Sequence, residues 1–118
     1  MDIRVIVLLL SVGFGGCTSI QRNPVAVPGK QHFKNYALCT CVADGFEAQE
    51  VISEAAAAAR GYLELGSLPL EAHTEATKLG RQFLKKEYKS KYGAQLIIMK
   101  CLDYFHSDEL ERLYQKYR

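Results

Sequence analysis

The sequence lacks the features that would mark a nucleic-acid-binding protein, a polytopic membrane protein or a β-rich fold. Beyond the N-terminus it has no second long apolar run, no internal repeat and no convincing stretch of alternating polar and apolar residues. Its formal charge of +2 is close to neutral, and its basic residues are mixed with acidic ones, so no basic field indicates nucleic acid. We therefore expect one small domain with a single core.

Motifs for catalysis and metal binding are also missing. The chain has no glycine-rich phosphate loop, no paired-carboxylate signature and no H-E-x-x-H motif. His32, His73 and His106 are far apart in sequence, and we expect each at the surface or at a helix cap. Cys39 and Cys41 are one residue apart, whereas zinc and redox motifs are usually C-x-x-C. We expect no enzymatic activity, cofactor or metal, and a metal carrier built on these two cysteines is a competing hypothesis.

The N-terminus has the order of an export signal. Arg4 precedes an apolar run over residues 5–12 that is too short to span a bilayer, and small residues follow it. Phe14-Gly15-Gly16-Cys17 resembles the lipobox of bacterial lipoproteins, whose cysteine is lipidated and becomes the first mature residue. Residues 1–16 are therefore predicted to be a lipoprotein-type signal peptide, with Cys17 lipidated and the protein in the periplasm.

Other interpretations of this segment stay open. Gly13 and Gly15 also form the small-x-small site of an ordinary cleaved signal, which would carry no lipid. A buried N-terminal helix is disfavoured because the glycines would end it after two turns. Thr18 after the cysteine favours the outer membrane, by the sorting habit of enteric lipoproteins. Residues 17–30 contain two prolines and no period, so we expect a flexible tether.

Residues 31–118 are predicted to form one all-α domain, a compact bundle of four to five short helices. Apolar residues at three- and four-residue steps predict the first four helices over residues 32–46, 47–62, 69–88 and 96–105. Pro69 suits the first position of the third helix, and Glu71 suits its first turn. The fourth helix is apolar over a wide arc and is expected to be the most buried. Ser107 is predicted to cap a fifth helix.

Five consecutive alanines, residues 55–59, lie in the second predicted helix. Alanine is the best helix former, and its small side chain lets another backbone come close. Two roles stay open for this run, because the same close approach serves tight packing in the core or an interface between subunits.

The predicted helices also divide the cysteines. If Cys17 carries the lipid, three cysteines are left in an oxidising compartment, enough for one bridge and one free thiol. Residues 39 and 41 differ by about 200° around a helix, so only one of them can point at the fourth helix. Cys41 and Cys101 each lie on the apolar stripe of their helix, which predicts a Cys41–Cys101 disulfide and a free Cys39. An unmodified Cys17 would allow a second bridge to Cys39.

Three stretches of the domain are similar to one known family, the amidase immunity proteins of type VI secretion systems, in the group paired with the fourth amidase effector family. The stretches are Asn35-Tyr36-Ala37-Leu38 with Cys41-Val42-Ala43, Gly61-Tyr62-Leu63-Glu64-Leu65-Gly66 with Pro69-Leu70-Glu71-Ala72, and Met99-Lys100-Cys101-Leu102-Asp103 with Phe105-His106-Ser107 and Glu109-Leu110. The third is the most specific, because a one-residue joint at His106 separates a helix that contains a cysteine from a Ser-capped helix. The family's cysteines match Cys41 and Cys101.

The resemblance implies a helical, dimeric periplasmic protein that inhibits a cognate peptidoglycan amidase by blocking its active site. Such inhibition requires a rigid scaffold with a protrusion that fits a concave site. The candidate partner-binding residues lie at the joint between the second and third helices and just beyond it: Glu64, Gly66, Pro69, Glu71 and Glu75. Residues 89–93 are a second candidate loop. The alternative function is a structural or adaptor envelope lipoprotein that binds another envelope protein through its alanine-rich face.

Overall fold

The structure, a computed structural model, describes residues 15–16 and 28–118, and within these ranges the chain forms five helices and no strand. The helices are α1 (Pro28–Gly45), α2 (Gln49–Leu65), α3 (Leu70–Leu84), α4 (Ile97–Phe105) and α5 (Asp108–Tyr117). The prediction of an all-α fold is confirmed. Apart from residues 15–16, the expected signal peptide, Cys17 and the expected tether as far as residue 27 lie outside the described residues.

Helix α1 is the central element and contacts each of the other four helices. Phe33, Ala37 and Cys41 are buried at intervals of four residues, so they form one stripe along α1. The other buried members of this core are Ala72, Ala76 and Phe83 of α3, Cys101 and Tyr104 of α4, and Leu110, Leu113 and Tyr114 of α5. Helix α2 packs against α1 beside this core.

Helix α4 buries only one side, so the expectation that it is the most buried helix is wrong. Cys101 and Tyr104 are fully buried, whereas Ile98, Met99 and Leu102 are 50%, 51% and 42% exposed. The physical reason is that the apolar arc of α4 is wider than the surface that it presents to α1 and α3. We call Ile98, Met99 and Leu102 the α4 apolar face.

A disulfide joins Cys41 of α1 to Cys101 of α4, which confirms the predicted bridge between the first and fourth helices. The two Cα atoms are 5.6 Å apart, and both side chains are buried. Cys39 has no partner among the described residues and is partly buried. Burial raises the pKa of the Cys39 thiol, so less of it is thiolate at neutral pH.

Two glycines let α4 approach its neighbours closely. A Cβ atom on Gly80 of α3 would lie 2.9 Å from Cε1 of Tyr104, and a Cβ atom on Gly45 would overlap with Cγ2 of Ile97. The Tyr104 hydroxyl donates to the carbonyl oxygen of Ala76, and burial raises the pKa of this hydroxyl. Tyr104 therefore stays protonated and satisfied in the core, where it links α4 to α3.

The observed helix boundaries differ from the predicted ones at several points. Helix α1 begins at Pro28 rather than at residue 32, so the last three residues of the expected tether are helical. Helix α2 continues through Gly61, since one interior glycine costs only about 1 kcal/mol, and packing against α1 offsets this. Pro69 is the N-cap of α3 rather than its first residue. Helix α3 ends at Leu84 rather than at residue 88, where the Tyr88 hydroxyl turns to Asp103 of α4.

Helix α5 begins at the predicted cap. The Ser107 Oγ accepts a hydrogen bond from the Leu110 amide at 3.1 Å.

Over the described ranges, none of the helices is long and apolar enough to cross a membrane.

We expect loss of the Cys41–Cys101 disulfide to destabilise the domain. The bridge closes a loop with a sequence separation of 60, so reduction should lower the free energy of unfolding by about 4 kcal/mol in the chain-entropy model. Urea unfolding with and without a reductant measures the change. The control C39S keeps the bridge and should change this free energy by only about 0.5 kcal/mol. An unchanged urea midpoint after reduction would contradict the expectation.

Candidate functional site

The first candidate surface is the connection between α2 and α3, residues 64–71, which we call the joint. Helix α2 ends where the Gly66 amide donates to the Tyr62 carbonyl oxygen at 3.0 Å. The backbone of Pro69 is extended, with φ −66° and ψ 160°, and it redirects the chain into α3. A Cβ atom on Gly66 would lie 3.2 Å from the Tyr62 carbonyl oxygen, so a larger residue would crowd this turn.

His73 supports the joint from inside the domain. Its side chain is 1% exposed, and its Nδ1 lies 3.1 Å from the Pro69 carbonyl oxygen, to which it donates. The rings of Tyr36 and Phe33 pack against it edge to face, with centroids at 4.7 and 5.6 Å. The expectation that His73 lies at the surface or at a cap is therefore wrong. Its place beside Ala72 and three residues before Ala76, on the apolar stripe, was the signal for burial.

Four of the five predicted partner-binding residues meet at the joint. Glu64, Pro69 and Glu71 are exposed, and Gly66 is partly buried. Next to them, the side chains of Leu65 and Leu70 are 65% and 67% exposed. Exposed apolar side chains with charged neighbours are typical of protein-binding surfaces. The sequence analysis identified the acids and missed the two leucines.

Glu75, the fifth predicted residue, has a different environment. Its carboxylate accepts hydrogen bonds from the Tyr117 hydroxyl at 2.6 Å and from Lys116 Nζ at 3.2 Å, both on α5. The hydrogen bond from Tyr117, and then that from Lys116, holds the pKa of the Glu75 carboxyl below its usual range. The carboxylate therefore links α3 to α5 and would have to break these contacts to meet a partner.

The second candidate surface is the connection between α3 and α4, residues 85–96, which we call the basic loop. It contains the second predicted loop, residues 89–93. Four lysines of this loop are exposed, Lys85, Lys86, Lys89 and Lys91, and Tyr92 is 93% exposed. The sequence KKEYKSKY showed this concentration of charge, but the sequence analysis assigned its first four residues to the third helix and only residues 89–93 to a candidate loop.

Contacts with α4 fix the basic loop at its start. The Tyr88 hydroxyl donates to Asp103, and Lys100 Nζ donates to the Leu84 carbonyl oxygen at 3.1 Å. At the other end, Leu96 has a φ of 54°, the only positive φ of a non-glycine residue in the described part of the chain. A left-handed leucine costs about 1–2 kcal/mol, so the surrounding packing holds the loop in this shape. A cavity of about 370 Å³ lies beside it, lined by residues that include Phe46, Leu96 and Met99.

The alanine run has a buried and an exposed side. Ala59 is buried and Ala57 is exposed. Ala55 and Ala58, with residues that include Val42 and Val51, line a groove of about 420 Å³ on the outside of α1 and α2. This arrangement provides both close helix packing and an open apolar groove, so both roles considered for the run keep physical support.

The described residues give no support to a metal site. Within residues 15–16 and 28–118, no three side chains of His, Cys, Asp or Glu converge as metal ligands would. Cys41 is bonded to Cys101, so a site built on Cys39 and Cys41 would keep only one thiolate. His106 lies at the surface as the C-cap residue of α4, while His32 is partly buried beside Tyr62.

Comparison with known proteins finds one family and several similar structures. A family model described as Tai4, type VI secretion system (T6SS) amidase immunity protein, matches residues 31–114. No curated protein matches the sequence.

Two of the similar structures contain effector–immunity systems. A chain in the structure of the Tae4/Tai4 effector–immunity system from Salmonella typhimurium is 28% identical, with a TM-score of 0.71 over 75% of this chain and 87% of that one. A chain in the Tae4–Tai4 complex from Enterobacter cloacae is 25% identical, with a TM-score of 0.66 over 72% of this chain and 87% of that one. A structure reported with type VI-secreted toxins and self-resistance proteins of Serratia marcescens, 23% identical with a TM-score of 0.67 over 81% and 82% of the two chains, shares the fold.

Proposed function

Because a model of the type VI secretion system amidase immunity proteins matches most of the chain, the chain belongs to that family, and we propose that it binds and inhibits a cognate amidase effector of the Tae4 type. The family match over residues 31–114 is the observation that carries this proposal. The similarity of the fold to a chain of a Tae4/Tai4 effector–immunity system supports it. The role is to protect the producing cell in the periplasm from amidase delivered by itself or its kin, and it requires binding rather than catalysis.

The internal connections of the domain support inhibition by a preformed surface. The disulfide ties α1 to α4, and His73 fixes Pro69 at the joint through its Nδ1 hydrogen bond. A surface that is already ordered before binding loses less conformational entropy when the complex forms. The joint can therefore bind tightly with a small contact area.

We assign the joint as the amidase-binding surface, with Glu64, Gly66, Pro69 and Glu71 as contact residues. Leu65 and Leu70 supply exposed apolar area that a partner would bury. Glu64 and Glu71 lie at its edge, where carboxylates steer the approach of a basic surface and exclude acidic ones. Gly66 and Pro69 give the turn its shape. Glu75 acts from behind the surface by linking α3 to α5.

A titration tests the function directly. The purified protein should abolish peptidoglycan cleavage by one amidase of the Tae4 type at near-equal molar amounts, because a tight inhibitor titrates its enzyme. Release of soluble muropeptides from purified sacculi is the measurement. If every amidase of a panel of this type stays fully active, the proposal is refuted, and the structural or adaptor role is favoured.

Charge reversal tests the assignment of the joint. We expect E64K/E71K to weaken inhibition by about tenfold or more, since the two lysines would repel a basic partner surface and like charges brought together cost several kcal/mol. The control E47K/E109K makes the same change in net charge at exposed carboxylates outside the joint and the basic loop, and it should inhibit like the wild type. Equal inhibition by E64K/E71K and its control would contradict the assignment, whereas the inhibitory function itself would stand.

We also propose the processing and assembly of the mature protein: a lipoprotein-type signal over residues 1–16, a lipid on Cys17, a tether over residues 17–30 and a dimer of the domain over residues 31–118. The dimer would use the apolar groove of Val42, Val51, Ala55 and Ala58, which nothing covers in the described part of a single chain. Mass spectrometry should find diacylglycerol-modified Cys17 at the mature N-terminus, and an unmodified Cys17 would refute the lipid anchor.

Light scattering should give twice the mass of one chain, and the mass of a single chain would refute the dimer.

A further inference from the structure

A cleft lies between α2 and α3. Both helices pack against α1, and α2 makes its main contacts with α1 rather than with α3, which leaves a cavity of about 300 Å³ between them. This volume is at the lower end of the range of small-ligand sites. We call this cavity the α2–α3 cleft. Its lining residues are Tyr36, Thr40, Ala43 and Asp44 of α1, Ala56, Ala59, Arg60 and Leu63 of α2, and Thr77 of α3.

The cleft follows α1 for about two turns. Tyr36, Thr40 and Asp44 succeed one another at four-residue steps, so they lie in one row along the helix. The distance from Tyr36 to Asp44 along the axis is about 12 Å. An extended chain covers this distance with about four residues. Ala56 and Ala59 have little bulk, so such a chain can lie close to α2. The cleft therefore has the length and the walls that suit a short extended peptide.

The floor of the cleft offers hydrogen-bond acceptors. The Thr40 hydroxyl donates to the Tyr36 carbonyl oxygen at 3.1 Å, and the Thr77 hydroxyl donates to the His73 carbonyl oxygen at 3.0 Å. The Tyr36 hydroxyl lies 3.2 Å from Thr77 Oγ1 and therefore donates to it. All three hydroxyl protons are used inside the protein, whereas each hydroxyl oxygen keeps at least one lone pair. The floor can therefore accept hydrogen bonds from the N–H groups of a ligand.

The mouth of the cleft has a positive charge without a partner. Arg60 is exposed, and it forms no ion pair with any described residue, including Glu64 one turn further along α2. Asp44 is the carboxylate that lines the cleft, and it already accepts a hydrogen bond from Arg81 Nε at 3.2 Å. A guanidinium presents paired N–H donors that match the two oxygens of a carboxylate. The mouth can therefore bind a carboxylate of the ligand.

We propose that the α2–α3 cleft binds the stem peptides of peptidoglycan, which are short peptides with free carboxylates and small side chains. The acceptors on the floor suit the amide and ammonium N–H groups of such a peptide, and Arg60 suits one of its carboxylates. The alanines of α2 suit its methyl side chains. This binding goes beyond the proposed inhibition and rests only on the proposed periplasmic location, where peptidoglycan lies. It would retain the protein on the cell wall, which is the material that an amidase attacks.

A defined peptide and the intact cell wall test the site with the full mature protein. The probes are the tripeptide L-Ala-γ-D-Glu-meso-diaminopimelate, followed by calorimetry, and purified sacculi, followed by co-sedimentation. We expect the wild type to bind both probes, and an excess of the tripeptide should release the protein from the sacculi.

Substitutions locate the binding in the cleft. R60Q should weaken tripeptide binding about tenfold, because it removes a charged hydrogen-bond donor from the carboxylate. T40V keeps the shape of the side chain but removes one acceptor from the floor, and it should weaken binding about fivefold. The control R112Q makes the same change in charge at an exposed residue of α5, and it should bind like the wild type. Urea unfolding checks that each variant keeps the stability of the wild type.

Two results would overturn the proposal. One is a wild-type protein that does not bind the tripeptide, and the other is equal binding by R60Q and R112Q. If R60Q also loses inhibition of the amidase while its tripeptide binding is unchanged, the cleft is a contact with the effector instead. The binding assays contain no amidase, so failure of the proposed inhibition and failure of this site are observed separately.

Discussion

The covalent bond between α1 and α4 is the constraint on which the rest of the structure depends. Helix α4 has nine residues, and Cys101 and Tyr104 are its fully buried side chains, so its packing area alone is small. The bond fixes it to the central helix, and the Tyr104 contact with Gly80 then sets its distance from α3. Since α4 carries the end of the basic loop and leads through His106 into the capped start of α5, the placement of both follows from it.

Sequence periodicity was sufficient for the number and order of the helices and for the disulfide, because both depend on which residues share a helical face. Ser107 was equally clear, since the cap is a local interaction. The environment of α4 could not be predicted this way: an apolar arc shows what could be buried, and only the arrangement of α1 and α3 determines how much is covered. The burial of His73 was misjudged for the same reason, because its packing depends on tertiary contacts. The hydrogen bonds of Glu75 with Tyr117 and Lys116 were not foreseen either, since they join two different helices.

The joint illustrates the same limit at the level of function. Gly66 and Pro69 indicated a turn, and the acids beside it were evident, but nothing in the local sequence distinguished Leu65 and Leu70 from buried leucines. Their exposure of about two-thirds becomes visible only once α2 is seen to end at Leu65 and α3 to begin at Leu70. The basic loop was visible as a run of lysines, yet its proximity to the α4 apolar face required the fold.

The position of Cys39 has a consequence for how the domain matures. Three thiols of the domain allow three pairings, and random oxidation would trap many chains in the wrong one. Native packing brings Cys41 and Cys101 together in the core while Cys39 stays apart from them on α1 with a raised pKa, so its thiol attacks disulfides slowly. The helices thus act as a template for their own cross-link. In the folded domain the Cys39 thiol is therefore a poor competitor for either sulfur of the bond.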